Sequence, residues 1–267
     1  MSFVKRYGPW AVITGASEGT GRQFAKRIAA EGVSCVLIAR REGPLNAVAD
    51  EIRSDSGVEC VTASIDLYSP EAFEEIIEAV GEREVGLYVA NAGADPNSSR
   101  FLDLEVDAWI RHINRTVITT VRCSHHFGDL MRNRGRGGIL LVGSGACYGG
   151  ASFLATYSAG KAFELCFSEG LWAELRPHSV DVLYLVLTRT DTPALRTFLE
   201  KNNLPAPDGV ASTEEVAKVG LERLPHGPVH NFGQEDEDLG YALNTAADRR
   251  SRVQFIDKAT EGLFGDG

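Results

Sequence analysis

Residues 10–22 decide the fold, and they read Trp-Ala-Val-Ile-Thr-Gly-Ala-Ser-Glu-Gly-Thr-Gly-Arg. A short apolar run, Trp10–Thr14, leads into a turn that contains Gly15, Gly19 and Gly21, and a helical pattern follows. In such a turn the backbone amides can approach a pyrophosphate, and the helix dipole adds partial positive charge. The glycine spacing, GxxxGxG, differs from the more general GxGxxG and also fits a plain tight turn. Its position between a strand and a helix favours a phosphate-binding turn.

The same alternation of strand and helix patterns continues along the whole chain. Nearly continuous apolar runs, typical of parallel strands covered on both faces, are Trp10–Thr14, Ser34–Ala39, Cys60–Ala63, Leu87–Ala90, Ile139–Gly143, Val180–Leu187 and a weak Pro228–Asn231. Amphipathic segments predict helices at Gln23–Glu31, Pro44–Arg53, Pro70–Val80, Val106–Met131 and Ala155–Leu175. The pattern predicts an α/β fold, a single doubly wound Rossmann domain over residues 1–267 with a mostly seven-stranded parallel sheet. The proline-rich residues 193–212 interrupt this rhythm and are predicted to form a substrate lid.

Composition narrows the class of protein. The chain has 267 residues, enough for one large core, and its net charge of −10 disfavours nucleic acid as a partner. The five cysteines are scattered without a CxxC pair, which indicates reduced thiols in a cytoplasmic protein. No apolar run approaches the ~18–20 residues of a membrane span, and the N-terminus lacks a signal-peptide pattern, so no membrane association is expected.

The identity of the dinucleotide is predicted from the end of the second strand. An NAD site usually has an acidic residue there, which binds the ribose 2′-hydroxyl. This chain instead has Arg40 and Arg41, and Arg40 can pair with a 2′-phosphate and stack on adenine. The alternative is that both arginines are ordinary exposed charges. We expect NADP(H) to be favoured over NAD(H).

Tyr157 and Lys161 lie four residues apart, on one face of a predicted helix. Reduction of a carbonyl by hydride transfer needs a proton donor, and a phenol serves better as one when a positive charge lies beside it. A second group is needed to polarise the carbonyl oxygen, and Ser144 follows the fifth strand, at the carboxyl edge of the sheet. A lone YxxxK pair also occurs by chance in many helices.

The chain resembles the short-chain dehydrogenase/reductase family, from about Trp10 to Pro193 and more weakly to the end. The family's motifs occur in the right order: TGxxxGxG at residues 14–21, Asp66-Leu67, Asn91-Ala92-Gly93, Asn114, and Ser144 at the usual interval before Tyr157. The resemblance implies a metal-independent alcohol dehydrogenase or carbonyl reductase that acts on CH–OH groups, and a homodimer or homotetramer formed through two long helices.

The resemblance also implies roles for the matching residues. Tyr157 would be the general acid–base, Ser144 would position the substrate oxygen, and Asn114 would join a water-linked proton relay to Lys161. Lys161 would bind the nicotinamide ribose and make Tyr157 a better acid. The predicted cofactor-binding residues are Gly15, Ser17, Gly19, Thr20, Gly21, Arg40, Asp66, Leu67, Asn91, Ala92, Gly93, Tyr157, Lys161, Thr190 and Thr192.

The chain departs from the family in two places. Leu187-Thr188 replaces a Pro-Gly pair after the sixth strand, which restricts the backbone to ordinary φ values and predicts a different path for the loop that carries Thr190 and Thr192. Glu18 stands where many NADP-preferring members have a basic residue, which weakens the expectation of NADP.

The predicted substrate is a lipophilic ketone or secondary alcohol. Apolar residues after Ser144 and in the lid suggest the pocket: Cys147, Tyr148, Phe153, Leu195 and Phe198. A 3-oxoacyl thioester reductase, with Arg189 and Arg196 near the pocket mouth, is an alternative. A non-catalytic dinucleotide sensor or scaffold is another, although such relatives generally lack the Tyr or the Lys.

Four other titratable residues are expected to have no part in the chemistry. His112, His125 and His126 are expected at surface or interface positions, because adjacent histidines on a helix point about 100° apart and form no joint metal face. Glu164 shows no partner that would indicate carboxylate catalysis.

Overall fold

A computed structural model describes residues 1–94, 97–201, 203–235, 238 and 249–255. Its centre is a parallel sheet in the order β3-β2-β1-β4-β5-β6-β7. The strands are β1 (Trp10–Thr14), β2 (Ser34–Ala39), β3 (Cys60–Ser64), β4 (Val85–Ala90), β5 (Gly137–Val142), β6 (Val180–Val186) and β7 (Val229–Asn231). The predicted doubly wound sheet of seven parallel strands is confirmed.

Residues 249–255 are helical, and nine described α-helices that precede β7 accompany the sheet. They are α1 (Phe3–Tyr7), α2 (Gly19–Ala30), α3 (Glu42–Ser56), α4 (Ala72–Val80), α5 (Val106–Ile113), α6 (Thr120–Arg134), α7 (Ala155–Leu175), α8 (Pro193–Lys201) and α9 (Thr213–Arg223). The predicted helical segment Val106–Met131 is continuous in the structure, but it contains an unpredicted π-helical segment, Asn114–Thr119, between α5 and α6. None of the described helices is long and apolar enough to cross a membrane.

The core has two layers, one on each face of the sheet. Alternate residues of β1 point to opposite layers: Ala11 and Ile13 pack with α2, α3 and α9, whereas Val12 packs with α4, α6 and α7. A strand that is buried on both faces needs apolar residues at every position, which is why the strands are nearly continuous apolar runs. All five cysteines lie in the described part of the chain and are free thiols.

The short helix α1 is fastened to the start of β6. The Arg6 guanidinium and the Tyr7 hydroxyl each donate a hydrogen bond of 2.6 Å to the carboxylate of Asp181. Tyr7 is buried, and burial together with the neighbouring carboxylate raises its pKa. Because the Tyr7 hydroxyl is largely removed from water, it depends on Asp181 for a hydrogen-bond partner.

Candidate active site

The candidate site begins at the point where the strand order reverses, between β1 and β4. In open α/β sheets this crevice, at the carboxyl ends of the strands, is where ligands bind. Asn91 joins the two strand ends: its backbone amide donates to Thr14 Oγ1 (3.0 Å), and its side-chain amide donates to the carbonyls of Thr14 (3.1 Å) and Gly15 (3.3 Å). The NAG segment therefore holds the glycine turn against the central strand.

The glycines of the turn leave room that side chains would fill. Gly15 and Gly19 adopt positive φ angles of 69° and 55°, which favour glycine. A Cβ on Gly21 would lie 2.5 Å from Asn91 Nδ2 and would collide with the carbonyl oxygen of Gly15. Since α2 begins at Gly19, the amides of its first turn have no partners within the helix. These residues fit a bound pyrophosphate.

One lobe of the crevice extends from this turn toward β2 and β3. It measures about 360 Å³, and its lining includes Ser17, Arg40, Arg41, Asp66, Leu67, Tyr68 and Arg115. The Arg40 guanidinium lies 5.4 Å from the centre of the Tyr68 ring, whereas Arg41 pairs with Glu18 at 2.5 Å. Buried Arg115, which the sequence did not single out, donates to Tyr68 Oη at 2.5 Å and to the Ala94 carbonyl.

A second lobe, of about 320 Å³, contains the predicted catalytic residues. Ser144, Tyr157 and Lys161 line it together with Asn91, Gly93, Thr190 and Thr192. The two lobes share a wall that consists of Gly15, Glu18, Ala92, Gly93 and Ala94. The two lobes are therefore neighbouring parts of one crevice, with the arginines at one end and Ser144, Tyr157 and Lys161 at the other.

Two elements bring the catalytic candidates to this lobe. Ser144 follows β5, and its Oγ accepts a hydrogen bond from the Ala146 amide (3.2 Å), so its own proton is available to a ligand. Helix α7 starts at Ala155, which places Tyr157 and Lys161 on successive turns. Lys161 is 2% exposed, and its ammonium donates to the carbonyl of Val142 at 2.9 Å.

Most of the chain matches one known protein family. The family model described as short chain dehydrogenase matches residues 9–203. The chain belongs to the short-chain dehydrogenase family. The predicted class of enzyme, a dehydrogenase or reductase of CH–OH groups, is thereby confirmed at the level of the family.

Three named proteins illustrate what this short-chain dehydrogenase is similar to in sequence. The chain is 33% identical to a 7β-hydroxysteroid dehydrogenase from Collinsella aerofaciens, over 96% of its own length and 92% of that protein. It is 31% identical to a very-long-chain 3-oxoacyl-CoA reductase from Podospora anserina, over 80% and 64% of the two chains. It is also 30% identical to an inactive hydroxysteroid dehydrogenase-like protein from Pongo abelii, over 84% and 69%.

Two solved structures resemble the short-chain dehydrogenase described here over nearly their whole length. A 7β-hydroxysteroid dehydrogenase structure has a TM-score of 0.85 and 28% identity, and the match covers 96% of this chain and 99% of that one. A short-chain dehydrogenase from Sphingobium yanoikuyae in complex with NADPH has a TM-score of 0.76 and 26% identity, with coverages of 97% and 96%.

Glu164 is the feature of this site that differs most from expectation. Its carboxylate accepts a hydrogen bond of 2.8 Å from Lys161, and the side chains are only 6% and 3% exposed. The expectation was that Glu164 has no partner for carboxylate catalysis, and its buried ion pair with Lys161 was not predicted. An acid three residues after Lys161 lies on the same helix face, and that spacing was the signal in the sequence. Burial raises the pKa of Glu164, and the Lys161 ammonium opposes this shift.

His112 also lies in the site rather than at the surface, where it was expected. It is 1% exposed, and its ring stacks on that of Tyr157 with 6.2 Å between centroids and 18° between planes. Burial is the main reason why its pKa falls to about 4, with Arg115 and Lys161 adding to the shift. The signal was its three-residue spacing from Trp109, which is buried on the same face of α5.

Asn114 opens the π-helical segment, two residues after His112. Such segments are frequent at functional sites because they change the direction of a helix locally. The segment packs closely on α7, where a Cβ on Gly160 would lie 2.9 Å from the methyl group of Thr116. The role of Asn114 in a proton relay stays a prediction.

The five residues predicted to form the substrate pocket lie outside the lining of the two lobes. Cys147 is buried beside the sheet, which raises its pKa to about 11, and the Tyr148 hydroxyl donates to Asn231 Oδ1 at 2.8 Å. Buried Phe153 lies 4.8 Å below the Arg100 guanidinium, and Leu195 and Phe198 are half-buried.

The segment that was predicted as a lid contains α8, and its two ends are joined. The Asp191 amide donates to the Ala211 carbonyl at 2.9 Å, and the Ala211 amide donates to the Arg189 carbonyl at 3.0 Å. Residue 202 lies outside the described residues. Whether the segment closes over a substrate stays a prediction.

Proposed function

We propose that this short-chain dehydrogenase transfers a hydride between NADP(H) and a lipophilic ketone or secondary alcohol, with a hydroxysteroid as the substrate class. One observation carries the proposal. Ser144, Tyr157 and Lys161 line one lobe of a crevice whose shared wall includes the glycine turn. A phenol, a hydroxyl and an ammonium at the end of a dinucleotide crevice are the groups that carbonyl reduction needs.

The residues of the crevice suit each part of NADP(H). The amides at the start of α2 would bind the pyrophosphate, as in other helix N-termini. Arg40 would pair with the 2′-phosphate, since Arg41 is already engaged by Glu18. Asp66 and Leu67 would contact adenine. The NADPH complex of the Sphingobium yanoikuyae relative supports this choice of cofactor.

The remaining contacts would hold the nicotinamide half, which donates or accepts the hydride when the cofactor is bound. Lys161 would hold the ribose hydroxyls, and Thr190 and Thr192 lie where the carboxamide would be. The Ser144 hydroxyl would donate to the substrate oxygen, and Tyr157 would give that oxygen its proton or remove it. The Lys161 ammonium would stabilise the negative charge that develops on the reacting oxygens while the proton is transferred.

The names of the relatives guide the substrate proposal. The 7β-hydroxysteroid dehydrogenase of Collinsella aerofaciens favours a hydroxysteroid. The 3-oxoacyl-CoA reductase of Podospora anserina supports an acyl thioester as the second candidate. Against the thioester, Arg196 is held by the carboxylate of Asp191 at 2.6 and 2.5 Å, so it is not a free cation at the pocket mouth.

We also propose a cytoplasmic homodimer or homotetramer. The helices around the π segment expose large apolar side chains to solvent, and such patches commonly mark interfaces. They are Val106 (62% exposed), Ile110 (48%), Ile113 (37%), Ile118 (45%) and Phe163 (38%). Light scattering at about 1–100 µM, a range that includes micromolar dissociation constants, should give a mass that is a multiple of the monomer mass. The monomer mass is 28.9 kDa.

The proposed activity is tested by measuring NADPH and NADH turnover with hydroxysteroids, simple lipophilic ketones and a 3-oxoacyl thioester. We expect hydroxysteroid turnover with NADP(H), and a fall in kcat of about 10²–10⁴-fold in Tyr157→Phe. Preference for the thioester would select the second candidate. Tight NADPH binding with no turnover of any compound would indicate a non-catalytic protein, as the name of the Pongo abelii relative illustrates.

A further inference from the structure

A buried ion pair lies behind the proposed catalytic lysine. Tyr157, Lys161 and Glu164 follow one another along one face of α7. The Lys161 ammonium donates to the Glu164 carboxylate at 2.8 Å, and the two residues are 2% and 4% exposed. Burial of a carboxylate costs free energy unless an opposite charge and hydrogen bonds offset the loss of water. The proposed proton transfer at Tyr157 does not itself require Glu164.

The hydrogen bonds of Lys161 show what Glu164 does to it. An ammonium has three protons to donate. Val142 and Glu164 accept two of them, at 2.9 and 2.8 Å, so one proton remains for the nicotinamide ribose. The ammonium is therefore held in one place from two sides before any cofactor arrives. Gly93 provides the room on the third side, because a Cβ there would lie 2.7 Å from Lys161 Nζ.

The other groups that face Glu164 leave Lys161 as its main partner. Arg115 of the π segment is near, but its two terminal nitrogens donate to Tyr68 and to the Ala94 carbonyl. Tyr88 of β4 and Tyr184 of β6 also face the carboxylate. The Tyr184 hydroxyl donates instead to the Lys161 carbonyl at 2.9 Å.

Cysteine and histidine side chains also lie near the ion pair of Lys161 and Glu164. Cys123 of α6 lies against Tyr88, and Cys147, after β5, lies against Tyr184. His112 of α5 faces Lys161. Burial raises the pKa of Glu164, whereas the ammonium lowers it. The two opposite charges therefore stabilise each other inside the protein.

We propose that Glu164 is a positioning residue that fixes the Lys161 ammonium beneath the nicotinamide ribose and offsets part of its positive charge at Tyr157. This inference rests on the proposed function. With part of the charge offset, the ammonium stabilises the negative charge that develops during proton transfer less strongly. Oxidation of the alcohol, in which Tyr157 removes the proton, then requires a higher pH than it would without Glu164.

Two substitutions separate the two effects of Glu164. Glu164→Gln keeps an oxygen that can accept the Lys161 proton but removes the negative charge. Glu164→Asp keeps the charge but withdraws it by one methylene. Glu169→Gln is the matched control, because it removes an acid from the exposed side of the same helix. Each variant is assayed as the full chain with saturating NADP⁺ and a hydroxysteroid over about pH 6–11, a range of about five units that includes the free tyrosine value of about 10.

We expect Glu164→Gln to move the midpoint of the pH profile for oxidation down by about one pH unit, since a unit charge about two helical turns away has an effect of that size at an effective dielectric constant of about 20. Glu164→Asp should keep the midpoint and raise the NADP⁺ dissociation constant at least about threefold, or ~0.65 kcal/mol. Glu169→Gln should match the wild-type protein in both measurements. An unchanged midpoint in folded Glu164→Gln overturns the proposal.

The outcomes distinguish this proposal from the function on which it rests. If Tyr157→Phe retains wild-type turnover, the proposed function fails, whatever Glu164 does. If Tyr157→Phe is inactive but Glu164→Gln keeps the wild-type midpoint, only the role of Glu164 fails. If thermal melting shows that Glu164→Gln does not fold, Glu164→Asp decides: unchanged cofactor binding overturns the proposal, and weaker binding at an unchanged midpoint supports it.

Discussion

Gly93→Ala tests the placement of Lys161 with the smallest possible change. A Cβ at position 93 would lie 2.7 Å from Lys161 Nζ and 3.3 Å from its Cε. Heavy atoms outside hydrogen bonds normally stay about 3.5–4.0 Å apart, so the ammonium would have to retreat by about 1 Å. It is held at 2.9 Å by Val142 and at 2.8 Å by Glu164, and a retreat of this size strains both hydrogen bonds.

The expected effect is large on catalysis and small on stability. Misplacement of a reacting group by about 1 Å can lower the rate about 100-fold, so we expect kcat to fall by that factor. The atom that must move is the end of a flexible side chain, and no backbone atom is displaced. The free energy of unfolding should therefore change by less than about 1.5 kcal/mol, the weakest value for a hydrogen bond to a charged group.

The assay compares kcat and the urea unfolding midpoint of Gly93→Ala with those of Gly170→Ala. Gly170 lies inside α7, where a Cβ would meet no atom within 4 Å. Its replacement should leave kcat unchanged and raise stability by about 0.5–1 kcal/mol, as expected for glycine in a helix interior. Wild-type kcat in Gly93→Ala would refute the proposed position of the lysine.

Three further substitutions test other parts of the structure. Arg40→Ala should weaken NADPH binding about 10- to 100-fold through the loss of a charge-assisted phosphate contact, with little effect on NADH; equal effects on both would remove the reason for preferring NADP. Asp181→Ala should lower the free energy of unfolding by about 3 kcal/mol, because it leaves the buried Tyr7 hydroxyl without its partner, and a loss below that of Tyr7→Phe would contradict this. The pKa of His112 is lower in the folded chain, about 4, than its ordinary value of 6.5, so the unfolded chain binds more protons between these values. Stability should thus fall by about 3 kcal/mol as the pH drops through this range, and urea titrations of His112→Gln should lack that loss; parallel losses in both proteins would disprove the assignment.

The central strands could be predicted because they are apolar at every position. Both ends of β1 and β2 were placed correctly, since these strands are buried on both faces by the two layers of helices. The starts of β4 and β5 were missed because glycines occur there. A Cβ on Gly138 would lie 2.8 Å from Tyr7 Cε1, so the strand needs glycine where α1 crosses it. That contact joins distant parts of the chain and leaves no local pattern.

The candidate site was predictable to the extent that its residues follow local motifs. Ser144, Tyr157 and Lys161 were identified, and the structure brings them into one lobe of the crevice. The ion pair of Glu164 was not predicted and the position of His112 was predicted wrongly, because the burial of both residues depends on how α7 and α5 pack on the sheet. Helical spacing alone does not reveal which face is buried when the helix carries both polar and apolar residues on that face.

The most direct test of the central claim is a crystal structure of the chain with NADP⁺ and a hydroxysteroid. We expect the Tyr157 phenol oxygen within about 3 Å of the substrate hydroxyl, and Lys161 Nζ within hydrogen-bond distance of the nicotinamide ribose. A nicotinamide bound outside the lobe that Ser144 lines, or a Tyr157 side chain turned away from the substrate, would contradict the claim.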